Sequence, residues 1–180
     1  MTAAAVTPTY LERAAQVKLM IFDVDGVLTD GSLHYGADGE ALKTFNVHDG
    51  LGIKLLQESG VQTAIISARI SAQVTRRAAD LGIVQLHQGG HDKLTPFNAL
   101  LEKTGLTADQ VGFIGDDVVD LPILTRVGFA VAVPNGRPEV LERAHHVTLA
   151  HGGRGAVREV CELLLHAQGS YERVMAQFLV

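Results

Sequence analysis

The sequence predicts an α/β protein built on one doubly wound parallel sheet, with a β-hairpin flap after the first strand. Three observations lead there. Apolar runs at residues 19–22, 61–66, 83–87, 110–114 and 128–133 alternate with amphipathic stretches of helical length. Gly60, Gly82 and Gly105 stand where the helices between them should stop. The runs are continuous rather than alternating, as expected of parallel strands buried on both faces. Strand–helix alternation then calls for right-handed crossovers.

In chain order, residues 1–8 are small and polar and are expected to fray. Thr9 is placed to cap a short helix over residues 10–16. The run 19–22 ends abruptly in Asp23, Asp25 and Gly26. Residues 31–47 read as a hairpin around the turn Gly36-Ala-Asp-Gly39. Two strands alone are marginal in water, so the flap should pack on its own domain or on a neighbouring subunit. The segment Asn46-Val-His-Asp-Gly50 should close the hairpin near the end of the first strand. Helices are then expected over residues 51–59, 70–81 and 94–103, with a short one ending near residue 126. Pro134-Asn-Gly136 is a turn before a short helix at 139–144. Gly152-Gly-Arg-Gly155 opens a last helix over 156–168. The tail, residues 169–180, carries Val174, Met175, Phe178 and Leu179, consistent with docking or with a frayed end.

The 180 residues suit a single domain spanning 1–180. A net charge of −5 argues against a general nucleic-acid surface. Cys161 is the only cysteine, which excludes a disulfide framework, and its setting reads as helix core. No apolar run approaches the ~20 residues of a membrane span, and the start does not read as a secretory signal. The expectation is a cytoplasmic protein.

The chemistry collects at strand ends. Strand alternation turns Asp23 and Asp25 to one side, and such a pair needs a cation or a proton to offset its repulsion. Ser67, the Lys93 region and Asp116/Asp117/Asp120 mark other ends, and the ends of a parallel sheet converge on one crevice. Grouped carboxylates suit a hard, oxygen-seeking ion, and with phosphate as partner the natural choice is Mg²⁺. Asp23 and Asp116 are its candidate side-chain ligands, with Asp25 contributing a backbone carbonyl. Gly115-Asp-Asp also reads as a helix cap. Ser67 is a phosphate donor or a cap, and Lys93 a phosphate-facing charge or a solvated lysine. Arg69 and Arg77 could form an anion site. Arg154, among glycines, is an anion ligand or part of a helix-entry turn. His145, His146 and His151 lack metal-ligand spacing.

Together these motifs resemble the haloacid dehalogenase superfamily of aspartate-nucleophile phosphotransferases. Asp23-Val-Asp-Gly26 is similar to its first motif, Ser67 to the second, Lys93 to the third and Gly115-Asp-Asp-Val-Val-Asp120 to the fourth. The resemblance implies Mg²⁺ held by Asp23, Asp25 and Asp116. It implies that Asp23 attacks phosphorus to form an aspartyl phosphate, and that Asp25 acts first as acid and then as base. Ser67 and Lys93 would complete the catalytic set. With only a hairpin between the first two motifs, the chain resembles the capless subgroup that assembles homotetramers through its hairpins. Over residues 18–169 it is most similar to members that release phosphate from an eight-carbon keto sugar acid, a lipopolysaccharide precursor. That resemblance assigns substrate contacts to Asp25, Asn46, Val47, His48, Asp49, Gly50, Lys54, Arg69, Arg77 and Lys93. The chain departs from the usual pattern at His48 and Lys54, where arginine is common, and at Ser67-Ala68. A nine-carbon sugar acid phosphate is the alternative substrate. A phosphoryl transferase and a noncatalytic binding module are the other classes.

Overall fold

In the computed structural model, which describes residues 8–179, six parallel strands form one sheet. The expected fraying of residues 1–8 falls, except for Pro8, outside the described residues. A helix α1 (Tyr10–Ala15) leads into β1 (Leu19–Phe22). Thr9 caps α1 by a reciprocal side-chain and backbone exchange with Glu12, as its sequence predicts. A separate two-stranded hairpin follows, β2 (His34–Gly36) and β3 (Gly39–Leu42). Then come α2 (Val47–Glu58), β4 (Gln62–Ser67), α3 (Ala72–Asp80), β5 (Gln85–Gln88), α4 (Leu94–Thr104), β6 (Val111–Gly115), α5 (Leu121–Leu124), β7 (Phe129–Ala132), α6 (Pro138–Leu141), β8 (His146–Val147), α7 (Ala156–Ala167) and α8 (Tyr171–Met175).

The strand order is β5-β4-β1-β6-β7-β8. From β1 the chain winds one way, through β4 to β5. From β6 it winds the other way, through β7 to β8. The reversal lies between β1 and β6, which pair in register from Leu19↔Val111 to Phe22↔Ile114. Strand alternation sends Met20 and Phe22 into a core with α1, α2, α3 and α7. Leu19 and Ile21 go into a second core with α4, α5 and α6. Both faces are buried, which accounts for the unbroken apolar runs.

Helix α2 and strand β8 differ from the sequence expectation, as does the helix α8 in the expected tail. Helix α2 begins at Val47 rather than at residue 51, because the Asn46 side chain accepts the His48 N–H at 2.8 Å and starts the helix there. The glycines and β-branched residue of its first turns obscure that start. Strand β8 was not expected, since two residues carry no periodicity. It is secured by the neighbouring His145, whose Nδ1 accepts the Ala130 N–H at 2.9 Å.

The tail docks on its own chain. Val174 is buried, the Arg173 guanidinium donates to the Ser59 carbonyl, and Phe178 and Leu179 stay exposed. Cys161 is fully buried in α7, where burial pushes its thiol pKa up and makes it inert.

Candidate active site

In doubly wound sheets ligands bind beyond the carboxyl ends of the strands, where the winding reverses. At this reversal lies a cleft of about 380 Å³, lined by Asp23, Asp25, Gly26, Ser67, Arg69, His91, Lys93, Asp116 and Asp117 among others. Asp23 still belongs to the ladder, its N–H donating to the Ile114 carbonyl at 3.1 Å. The chain then turns sharply. Thr29 closes that turn, its N–H and hydroxyl both donating to the Val24 carbonyl. Gly26 adopts φ +87°, and a Cβ there would sit 2.1 Å from Asp116 Oδ2, so only glycine lets the two loops meet.

Lys93 is the charge centre. Its ammonium lies 2.8 Å from Asp23 Oδ1 and 2.6 Å from Asp120 Oδ1, with the side chain 1% exposed. Burial works against the charged lysine, but the two carboxylates outweigh it and leave the pKa raised. Asp23 is pushed up to about 8, first by burial and then by Asp120's charge, against the pull of Lys93. Asp116 is pushed up to about 7 by burial and by its acidic neighbours Asp120 and Asp117. The other oxygen of Asp120 accepts the N–H groups of Asp116 and Asp117, at 2.9 and 3.2 Å. Asp117 caps the following turn by accepting the Val118 N–H. The capping role thus falls to Asp117 and Asp120, which leaves Asp116 facing the cleft.

Asp23, Asp116 and Asp120 place carboxylate oxygens within 4.8 Å of one another. Asp116 Oδ1 is buried with no hydrogen-bond partner, and such a group calls for an ion or a proton. Asp120 is committed on both oxygens, so Asp23 and Asp116 are the pair free to hold a hard divalent cation. The raised pKa values set a sign for stability. Between about pH 4 and 8 the folded chain retains protons that the unfolded chain has released, so these two groups make stability fall as pH rises. Metal-free protein should therefore melt at a lower temperature at pH 8 than at pH 5. Added Mg²⁺ should raise the melting temperature more at pH 8; calorimetry in chelator and in Mg²⁺ checks both.

The flap packs on its own domain through polar groups. The Lys43 ammonium, on a side chain only 1% exposed, pairs with Asp25 Oδ1 and lies 3.3 Å from Glu40 Oε2. Glu40 also accepts from Arg69 Nη2 and from the Ser71 hydroxyl, both at 2.9 Å. Arg69 Nε lies 3.7 Å from the second oxygen of Asp25.

A family model described as haloacid dehalogenase-like hydrolase matches residues 68–160. The 3-deoxy-D-manno-octulosonate 8-phosphate phosphatase KdsC of Salmonella typhimurium is 46% identical over 172 residues, spanning 96% of this chain and 92% of that protein. The chain belongs to the haloacid dehalogenase-like hydrolase family. Crystal structures agree. The Yersinia pestis phosphatase of the same name superposes with a TM-score of 0.90 at 47% identity, over 93% of this chain and 90% of that one. The Moraxella catarrhalis phosphatase, solved with magnesium ion, phosphate ion and a KDO molecule, gives 0.91 at 43% identity, over 94% and 97%.

In this family member the cleft gathers Asp23, Asp25, Ser67, Arg69, Lys93 and Asp116 from the predicted site. Ser67 is 3% exposed and is not the cap of α3, a position Ser71 takes. The other predicted substrate contacts do not line this cleft. Asp49 is 1% exposed and turned toward α7, where its Oδ1 accepts the Arg158 N–H at 2.8 Å. Arg77 donates to the Asn46 carbonyl at 3.1 Å and lies over the Phe45 ring. It packs so closely on Gly50 that a Cβ there would sit 2.2 Å from its Nη2. Val47 and His48 are exposed on the first turn of α2, Asn46 caps that turn, and Lys54 faces a shallow groove with Glu58 and Asp80. Val47, His48, Asp49 and Gly50 lie on the first turns of α2, ahead of the expected helix start at residue 51. Sequence reasoning missed Lys43, Glu40 and His91. The first two lie in a hairpin with no apolar pattern, and nothing local marks His91.

The glycine block 152–155 supports the Asp23–Gly26 turn from behind. Gly153 N–H donates to the Val27 carbonyl at 2.8 Å, and a Cβ on Gly152 would lie 1.7 Å from the Gly26 carbonyl oxygen. Arg154 is mostly exposed on the turn that enters α7 and pairs with Asp30 at 3.4 Å. Gly152→Ala should displace the Asp23–Gly26 turn. We expect a melting temperature lower by several degrees, at roughly 2–4 °C per kcal/mol for a chain of this size, and a fall in activity. A Gly60→Ala control has open space at the Cβ but φ +102°, so it carries backbone strain alone and should lose some stability while keeping activity.

Proposed function

We propose that the protein is a Mg²⁺-dependent phosphatase that hydrolyses 3-deoxy-D-manno-octulosonate 8-phosphate to 3-deoxy-D-manno-octulosonate and phosphate. The observation that carries this reading is the near-complete match to phosphatases of that name, in a chain whose cleft assembles Asp23, Lys93 and Asp116. The product is a lipopolysaccharide precursor.

Asp23 is the nucleophile. Its carboxylate attacks phosphorus, the ester bond breaks, and the electron pair leaves on the sugar oxygen. Asp25 gives that oxygen a proton, so the leaving group departs as an alcohol. Water then attacks the aspartyl phosphate, Asp25 takes its proton, and phosphate leaves Asp23 restored. Lys93 and the Ser67 hydroxyl hold the transferring oxygens, and Lys93 also favours the charged form of Asp23. Asp23 and Asp116, with the Asp25 backbone carbonyl, would hold Mg²⁺, which would supply charge neutralisation for the phosphoryl group. Arg69, on the open side of the cleft, is suited to the substrate carboxylate.

A homotetramer fits the flap. It exposes Leu33, Tyr35 and Leu42, and Val47 and Ile70 are also exposed, apolar surface of the kind that contacts between subunits cover. Asn46, Val47, His48, Lys54 and Arg77 then serve recognition as part of a neighbouring copy's rim, with the buried Asp49 and Gly50 shaping the helix turn behind them. A cytoplasmic location accords with this role, and no helix among the described residues is long and apolar enough to cross a membrane. Phosphate release from the eight-carbon ester and from a nine-carbon sugar acid 9-phosphate, each with and without Mg²⁺, tests the assignment. Faster Mg²⁺-dependent release from the eight-carbon ester is expected; a clear preference for the nine-carbon ester would reassign the substrate.

A further inference from the structure

We infer that Lys43 is a positioning residue for Asp25, through which the flap of the same chain sets the proton-transfer geometry. The inference rests on the role given to Asp25 above. Lys43 follows β3 directly, and its ammonium has two acidic partners, Asp25 and Glu40. It does not line the cleft, whereas Asp25 and Arg69 do, so it acts through Asp25 rather than on substrate. A lysine ammonium withdrawn from water is costly unless paired and hydrogen-bonded. A lysine needed only for solubility would point outward, and this one points in.

The arrangement sorts the two oxygens of Asp25. Oδ1 is taken by Lys43, and Oδ2 is on the Arg69 side, 3.7 Å from Nε. A carboxylate on a turn is free to rotate about its side-chain bonds. A charged donor fixed to one oxygen selects the rotamer and presents the other oxygen to the ester. Lys43 is itself held by the seating of the flap. Glu40 is gripped by Arg69 and Ser71, and Gln73 Nε2 donates to the Glu40 and Ala41 carbonyls at 3.3 and 3.2 Å. The hairpin strands are exposed along almost their whole length, so polar contacts rather than a buried apolar face hold the flap in place.

The test compares kcat/KM on two esters. Without a proton the octulosonate ester would have to expel a basic alkoxide, so it needs Asp25 as acid. p-Nitrophenyl phosphate leaves as a stabilised phenolate and does not. Because kcat/KM covers only the steps through phosphoryl transfer to Asp23, later hydrolysis drops out. Lys43→Met should lose on the order of 10²-fold on the sugar ester, the range of general acid catalysis, and less than about fivefold on the aryl ester. Lys43→Arg should restore most of the loss. Equal losses on both esters would indicate a merely structural role and overturn the inference, as would full activity on the sugar ester. If Lys43→Met does not fold, Lys43→Gln is read by the same two criteria. Asp25→Asn is the reference: if it shows no leaving-group selectivity, the role of Asp25 fails first.

Discussion

Asp23→Asn is expected to abolish phosphate release while leaving the fold intact. The amide is isosteric but cannot attack phosphorus, so the loss should reach at least about 10³-fold, as for other residues that carry the covalent step. The fold should survive because Lys93 keeps Asp120 at 2.6 Å. The replacement also removes a carboxylate whose pKa is pushed up to about 8. Metal-free Asp23→Asn protein should therefore lose less stability between pH 5 and pH 8 than the parent. Phosphate release and melting temperature measured on one preparation check both halves. Activity within tenfold of the parent would remove Asp23 as nucleophile.

Lys93→Met is expected to damage both stability and activity. Lys93 is 1% exposed and offsets two buried carboxylates. Removing one partner from such a group costs about 3–5 kcal/mol, or a melting temperature lower by roughly 10 °C in a chain of this length. Activity should fall on the order of 10²–10³-fold, as when one charge-stabilising donor is lost. The double variant Lys93→Met/Asp120→Asn removes one of the two uncompensated charges and should recover part of the melting temperature but none of the activity. Thermal unfolding of both single variants and the double gives the coupling energy directly. Additive effects on stability would contradict the triad.

The parts legible in the sequence were those with dense local signals. Apolar runs ending in Asp23, Ser67 and Gly115 marked the central strands, and the motif order placed their ends in one cleft. Glycines marked the helix stops, but their close approaches left no signal: Gly26 lets Asp116 approach, and Gly152 lets the last helix's entry loop press on the Asp23–Gly26 turn. The hairpin was legible as an element but not in its role. Lys43 and Glu40 lie on exposed strands without periodicity, and their partners are 18 and 29 residues away or more distant in sequence. The segment 46–50 misled because Asn46 followed by Asp and Gly reads as a loop, whereas Asn46 caps α2 and Asp49 receives the N–H of Arg158 in α7. Long-range polar pairing of that kind leaves no local trace.

The central claim is that phosphate passes through Asp23. Rapid acid quench of the enzyme with Mg²⁺ and the octulosonate ester, followed by peptide mass spectrometry, measures it directly. A phosphoryl group on the peptide containing residues 19–26, formed no later than the free sugar acid and absent from Asp23→Asn protein, is the expected result. Stoichiometric release of sugar acid with no phosphorylated peptide, or with the phosphoryl group on another residue, would contradict it.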